Sequence, residues 1–269
     1  MLFRSNDPHF NVIKYEADSQ KIFGGVDIKG GVAITMWNKN QTEGGIGGTF
    51  VPFEELRSIL NKVKVGGFDE IVGARGETKT TYPLDSKYPN DLRIAPNYFE
   101  RYPDVFVKSK DEKHTIKIIG LEKGNKRTER YIDRSIVKDP KIEKWKVFIP
   151  KSNGSGALGE VVSTPLTGEP LTGCTYSFLQ VGAFENRYEA DNCLKYIKTR
   201  FCRVMLGTLK VTQDNPKSTW RNVPLQDFTA QSDIDWSKSI SEIDQQLYAK
   251  YGLDQNEIDF IETRVRAME

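Results

Sequence analysis

The sequence predicts an α+β fold, and three observations carry that expectation. Short apolar or alternating segments at residues 10–15, 32–37, 115–121, 131–137, 146–150 and 177–181 have the length and residue types of strands. Apolar residues at helical spacing fall in residues 52–63, 188–209, 240–250 and 255–268. Between them, Pro83, Pro89, Pro96 and Pro103 each fix their own φ and restrict the preceding residue, so extended segments and turns dominate residues 82–103.

Taken in order, residues 10–15 alternate, Gly24, Gly25, Gly30 and Gly31 punctuate, and residues 32–37 form a second short strand that turns at residues 38–40. Phe53, Leu56, Ile59, Leu60 and Val63 then share one helical face, and Gly66 with Gly67 ends that helix. Strands at residues 115–121 and 131–137, separated by a turn over residues 123–127, predict a basic hairpin. The strand at residues 146–150 runs into a polar glycine loop at residues 151–156. Residues 188–209 read as one long helix, with Leu194, Ile197, Phe201, Val204 and Met205 on one side and Lys195, Lys198 and Arg203 on the other. Two helices close the chain, with Gly252 as a C-terminal cap between them.

A chain of 269 residues, 38% of them hydrophobic, is long enough for one large core or two modest ones, which excludes a peptide or a disordered tail. No window approaches the ~18 apolar residues of a spanning helix. Arg4, Asp7 and His9 stand where a signal peptide would need an apolar run, so a cytoplasmic protein without a membrane partner is expected. Cys174, Cys193 and Cys202 are odd in number and contain no Cys-x-x-Cys pair, which argues against structural zinc and disulfides and for buried thiols. Two histidines, His9 and His114, leave little material for a histidine-assisted nucleophile.

Charge is distributed unevenly. Residues 108–146 carry thirteen Lys and Arg against seven Asp and Glu, and residues 195–221 carry seven against one. From residue 227 onward the balance reverses to four basic against ten acidic. This asymmetry hints at a polyanion-binding middle, unless the charges compensate one another within the fold.

Several constellations bear on chemistry. The glycine run at residues 44–48 is not followed by Gly-Lys-Ser/Thr and opens no dinucleotide-binding unit. Asp69 with Glu77-x-Lys79 resembles the signature of metal-dependent nucleases, in which two carboxylates hold the metal and the lysine steadies the attacking water. Asp7-Pro8-His9-Phe10 echoes the Asn-Pro-Pro-Tyr/Phe loop of amino-methyltransferases, but His9 replaces the second proline and removes the rigid turn.

Longer motifs carry a family resemblance. Residues 26–34 (Val-Asp-Ile-Lys-Gly-Gly-Val-Ala-Ile), 148–160 (Phe-Ile-Pro-Lys-Ser-Asn-Gly-Ser-Gly-Ala-Leu-Gly-Glu), 210–216 (Lys-Val-Thr-Gln-Asp-Asn-Pro) and 233–237 (Asp-Ile-Asp-Trp-Ser) closely resemble the C-terminal half of restriction-modification adenine-N6 DNA methyltransferases. These are gamma-class enzymes with a TaqI-like specificity domain. The resemblance implies methyl transfer from S-adenosylmethionine to an adenine flipped out of double-stranded DNA. Neither the cofactor loop nor the catalytic Asn-Pro-Pro-Tyr/Phe loop of full-length members is present, so the chain alone is expected to bind no cofactor and to be inactive. It would be a C-terminal piece, or the specificity chain of an enzyme whose catalytic methyltransferase chain is separate.

Under that resemblance, residues 1–65 are the edge of the methyltransferase α/β sheet, residues 66–229 an irregular β-rich target-recognition domain, and residues 230–269 an acidic helical tail. Phe23 becomes the candidate for stacking on the extruded base. Lys126, Arg127, Lys151, Ser152, Asn153, Lys195, Lys198, Lys210, Gln213 and Asn215 become candidates for DNA contact, being cations for phosphates or amides and hydroxyls for base edges. The alternatives are a nuclease using Asp69, Glu77 and Lys79, and a non-catalytic subunit that docks through its acidic tail.

Overall fold

A computed structural model describes residues 7–16, 18–26, 28, 31–41, 50–64, 66–122, 124, 126–152, 158–160, 162, 164–210 and 212–268. The fold is α+β, with small sheets and seven α-helices among those residues. None of these helices is long and apolar enough to cross a membrane. The glycine run at residues 44–48, Asp27 and Lys29 of the 26–34 motif, and Asn153 within its glycine loop lie outside the described residues.

Strands β1 (Phe10–Glu16) and β2 (Val32–Trp37) form an antiparallel hairpin in which Phe10 faces Trp37 and Glu16 faces Val32. A register shift between Val12 and Lys14 accommodates Ile13. Their connection is built on Ser19, whose hydroxyl donates to the Val26 carbonyl at 2.7 Å and accepts the Ile28 amide at 2.8 Å.

Helix α1 (Glu54–Val63) buries Leu56, Ile59 and Val63, the stripe that its spacing predicts. The short helix α2 (Phe68–Ile71) and strand β3 (Lys79–Thr80) precede the proline-rich stretch, and helix α3 (Tyr98–Arg101) lies within it. The middle contributes β4 (Ile116–Glu122), β5 (Lys126–Ile132), β6 (Val137–Lys138), β7 (Trp145–Pro150), β8 (Leu166–Gly168), β9 (Thr172–Cys174) and β10 (Phe178–Phe184). Two three-stranded sheets result, ordered β10-β7-β8 and β5-β4-β9, and β3 pairs with β6. Helices α4 (Arg187–Lys198), α5 (Arg200–Gly207), α6 (Ile240–Lys250) and α7 (Gln255–Arg264) complete the chain.

Three clusters fill the interior. The largest joins α1, α2, β7, β10 and α4 to α7 around Trp220 and Trp236. A second packs Phe99 and Phe106 with Ile116, Ile118 and Ile132. The third, Ile119, Phe148, Cys174 and Phe178, draws on both three-stranded sheets.

Two sequence expectations need correction. The helix foreseen over residues 188–209 breaks at Thr199, which has extended backbone (φ −60°, ψ 150°). Its hydroxyl donates to the Tyr196 carbonyl at 2.7 Å and accepts the Cys202 amide at 3.1 Å, capping both helices at once. The second hairpin strand runs from Lys126 to Ile132 rather than over residues 131–137: Lys126 already pairs with Glu122, and Asp133 caps a 3-10 turn at Arg134–Ile136 that ends the strand. Leu56, Ile59 and Val63 share one buried cluster with Phe68, Leu247 and Ile261, so helices α6 and α7 pack in the same core as α1.

Candidate nucleic-acid interface

The turn joining β9 to β10 organises a basic surface. The Thr175 amide donates to the Ile119 carbonyl at 2.9 Å, the Tyr176 amide to the Ile94 carbonyl at 3.0 Å, and the Ser177 carbonyl accepts the Lys151 amide at 2.9 Å. One turn thereby fixes the proline-rich stretch, strand β4 and the end of β7 together. On it the Tyr176 ring carries two guanidiniums, Arg75 at 4.4 Å and Arg93 at 5.7 Å from the ring centre. The Arg93 fork is bound by Asp91 through Nε at 2.8 Å and Nη2 at 2.7 Å, and holds the Asp91 carboxyl below its ordinary range. Among the described residues no carboxylate pairs with Arg75.

Arg75 divides two hollows. The first, of about 590 Å³, is lined by Lys79, Lys87, Tyr88, Asp91 and Arg93 as well as Arg75. The second, of about 550 Å³, is lined by Asp69, Lys151, Asp214, Asn215, Lys217 and Arg221 along its polar side. Local packing places the second set. Trp220 is fully buried against Phe68 (5.3 Å between ring centres), and this anchors the 3-10 turn Lys217–Trp220 so that Lys217 and Arg221 stay exposed at the rim. The Asn215 amide donates to the Lys151 carbonyl at 2.7 Å and the Ser152 hydroxyl to Asp214 Oδ1 at 2.8 Å, which holds residues 151–152 against 214–215. Asn215 itself is 1% exposed, and its carboxamide oxygen has no hydrogen-bond partner.

Of the residues singled out from sequence, Lys151, Ser152 and Asn215 come together here, and Gln213 is exposed beside Asp214. Arg127 lies 5.7 Å from the centre of the Phe178 ring, next to this turn, with Nη2 donating to the Thr164 carbonyl at 2.5 Å. Burial pushes its pKa down, while Lys126 is exposed. Other candidates are engaged within the fold. Lys195 Nζ donates to the Trp236 carbonyl at 2.6 Å. Lys210 is buried 4.0 Å from Glu160, its pKa lowered by burial. Lys198 is half-buried at the end of α4. Phe23 is 49% exposed on the β1–β2 connection.

The nuclease-like triplet is dispersed. Asp69 and Lys79 line different hollows, and Glu77 pairs with Lys141 at 3.2 Å. Among the described residues no group of His, Cys, Asp and Glu is placed to hold a metal ion. All three cysteines are buried, and burial pushes the Cys174 thiol up to about 12.

Charge counting along the sequence passes over Arg75, Lys87, Arg93 and Tyr176. The available signal is the interleaving of Lys79, Lys87 and Arg93 with Tyr82 and Tyr88 in the proline-rich stretch. Comparison with protein-family models, with curated proteins and with solved structures finds no match to this chain.

Proposed function

We propose that the chain recognises double-stranded DNA, as the target-recognition part of a site-specific adenine-N6 DNA methyltransferase in a restriction-modification system. The observation that carries this reading is the pair of hollows divided by Arg75, where seven basic side chains stand against three carboxylates. A duplex needs cations for its phosphates and fixed donors and acceptors for its base edges. Lys151, Lys217 and Arg221 suit the first purpose, and the exposed Ser152 and Gln213 the second, while the buried Asn215 holds residues 214–215 against Lys151. The methyltransferase assignment is supported by the resemblance of residues 26–34, 148–160, 210–216 and 233–237 to that family.

In this reading the β1–β2 hairpin belongs to the edge of a larger methyltransferase sheet, and Phe23 stacks on the extruded adenine. Support comes from exposure: Ile34, Met36 and Trp37 on β2 are all exposed, and a lone two-stranded hairpin is marginal in water. Strands from a catalytic segment, or from a separate catalytic chain, would cover these residues and would hold S-adenosylmethionine. Asp7 does not fit an amine-polarising role, since its carboxylate accepts the His9 amide and the Trp37 indole N–H, each at 2.9 Å. A cytoplasmic location belongs to the same proposal.

Selection from a random duplex library by the full chain tests the reading. Enrichment of a defined sequence, bound with steep salt dependence, is the expected result. Failure to retain any duplex at low salt would overturn it.

A further inference from the structure

We infer that Arg75 is the residue that reads a guanine in the bound duplex, contacting its O6 and N7 through the guanidinium fork. This rests on the DNA reading above and deepens it. Three features single out Arg75. First, its guanidinium lies 4.4 Å from the Tyr176 ring centre, so its plane is fixed before any ligand arrives and little rotational freedom is lost on binding. Second, of the two guanidiniums on that ring, Arg93 is already bound at both Nε and Nη2 by Asp91, whereas no carboxylate among the described residues pairs with Arg75. Third, Arg75 lies on the wall shared by the two hollows, with Lys79 and Lys87 on one side and Lys151, Lys217 and Arg221 on the other.

That order, cations, then a planar fork, then cations, matches backbone, groove and backbone across a duplex. Flexible lysines suit phosphates as point charges, whereas a stacked fork suits the paired acceptors that guanine presents in the major groove. The backbone is shaped for the stack. Gly76 has φ +75°, and a side-chain carbon there would lie 2.7 Å from Arg93 Cδ, so only glycine lets the Arg75 loop close onto the Arg93 and Tyr176 pair.

The test uses the full chain and a random duplex library, followed by titrations of the selected duplex. The unaltered chain is expected to select a site with guanine at one position that Arg75 governs. Replacing that guanine by 7-deazaguanine, which lacks the N7 acceptor, should weaken binding about 5- to 150-fold. In Arg75→Met, which keeps an unbranched stem and removes every donor, the same base replacement should have no effect, while preferences at other positions and the salt slope remain. Thermal unfolding of Arg75→Met and Arg75→Ala reports that the fold is intact, and Tyr176→Phe, which keeps the stack, should retain the guanine preference.

Equal loss of affinity for every sequence, with a shallower salt slope in Arg75→Ala, would make Arg75 a phosphate contact and overturn the inference. Undiminished guanine preference in Arg75→Met would overturn it as well. Binding by the unaltered chain without sequence preference would overturn it while leaving DNA binding intact, whereas no binding at all would remove both readings.

Discussion

Asp244 on α6 accepts the backbone amide of Phe201 on α5 at 2.9 Å. Its second oxygen takes the Arg200 amide at 3.0 Å, so one carboxylate from the acidic stretch caps a helix of the basic stretch. Arg200 pairs in turn with Glu262, and Lys62 with Glu257 at 2.6 Å. The reversal of charge along the sequence is therefore partly internal compensation. Burial nevertheless dominates at Asp244, whose pKa is pushed up to about 6 despite the two amides.

This position has a pH signature. A carboxyl with a folded pKa above its unfolded value binds more protons in the native state between about pH 4 and 6, so its contribution to stability falls as pH rises through that window. The loss should be on the order of 3 kcal/mol. Urea titrations between these limits should show it in the unaltered chain and not in Asp244→Asn. An identical profile in the variant would contradict the assignment.

Lys146 works in the opposite sense. It is fully buried, Nζ donates to the Thr172 carbonyl at 3.0 Å, and burial lowers its pKa to about 8. Between pH 8 and the ordinary lysine value of 10.5 the native state binds fewer protons than the unfolded chain, so stability rises with pH there. Relative to Lys146→Met, the unaltered chain should gain about 3 kcal/mol across that window, measured by urea unfolding at a series of alkaline pH values. Parallel curves for the two proteins would rule this out.

Phe68 packs with its ring centre 5.3 Å from that of Trp220, the residue that ends the 3-10 turn carrying Lys217, and 5.6 Å from that of Tyr196. Phe68→Ala should cost about 3–5 kcal/mol in equilibrium unfolding. A cost below about 1 kcal/mol would mean that the aromatic stack does not organise this turn.

Lys195 separates charge in sequence from charge at the interface. Because its ammonium is bound to the Trp236 carbonyl, Lys195→Met should destabilise the fold by about 1.5–3 kcal/mol and leave DNA affinity unchanged. Weakened DNA binding at unaltered stability would restore it to the contact surface.

Periodicity revealed the elements whose buried faces repeat regularly. Leu56, Ile59 and Val63 on α1, and Ile243 and Leu247 on α6, are examples. It does not reveal the break at Thr199, where the apolar spacing runs on unbroken while Thr199 caps locally and Asp244, more than forty positions away, takes the next two amides. Strand β5 was displaced because Lys126, Arg127, Thr128, Glu129 and Arg130 look like a turn when read locally and pair only against β4. The interface was legible where its residues are neighbours, as in Lys151 and Ser152. Arg75, Lys217 and Arg221 stand singly in sequence and converge only through the Phe68 and Trp220 packing and the Tyr176 turn. Counting charges along the chain gave equal weight to Lys195, which is bound to a carbonyl, and to Lys217, which is exposed.

The most direct test of DNA recognition by this surface is the salt dependence of duplex binding by the full chain, measured by fluorescence anisotropy. Each phosphate contact contributes about −0.9 to the log-log slope. The triple variant Lys151→Ala, Lys217→Ala, Arg221→Ala should flatten the slope by about 2 to 3 units, while Arg57→Ala on the exposed face of α1 should leave it unchanged. A salt-independent affinity in the unaltered chain, or an unaltered slope in the triple variant, would contradict the account.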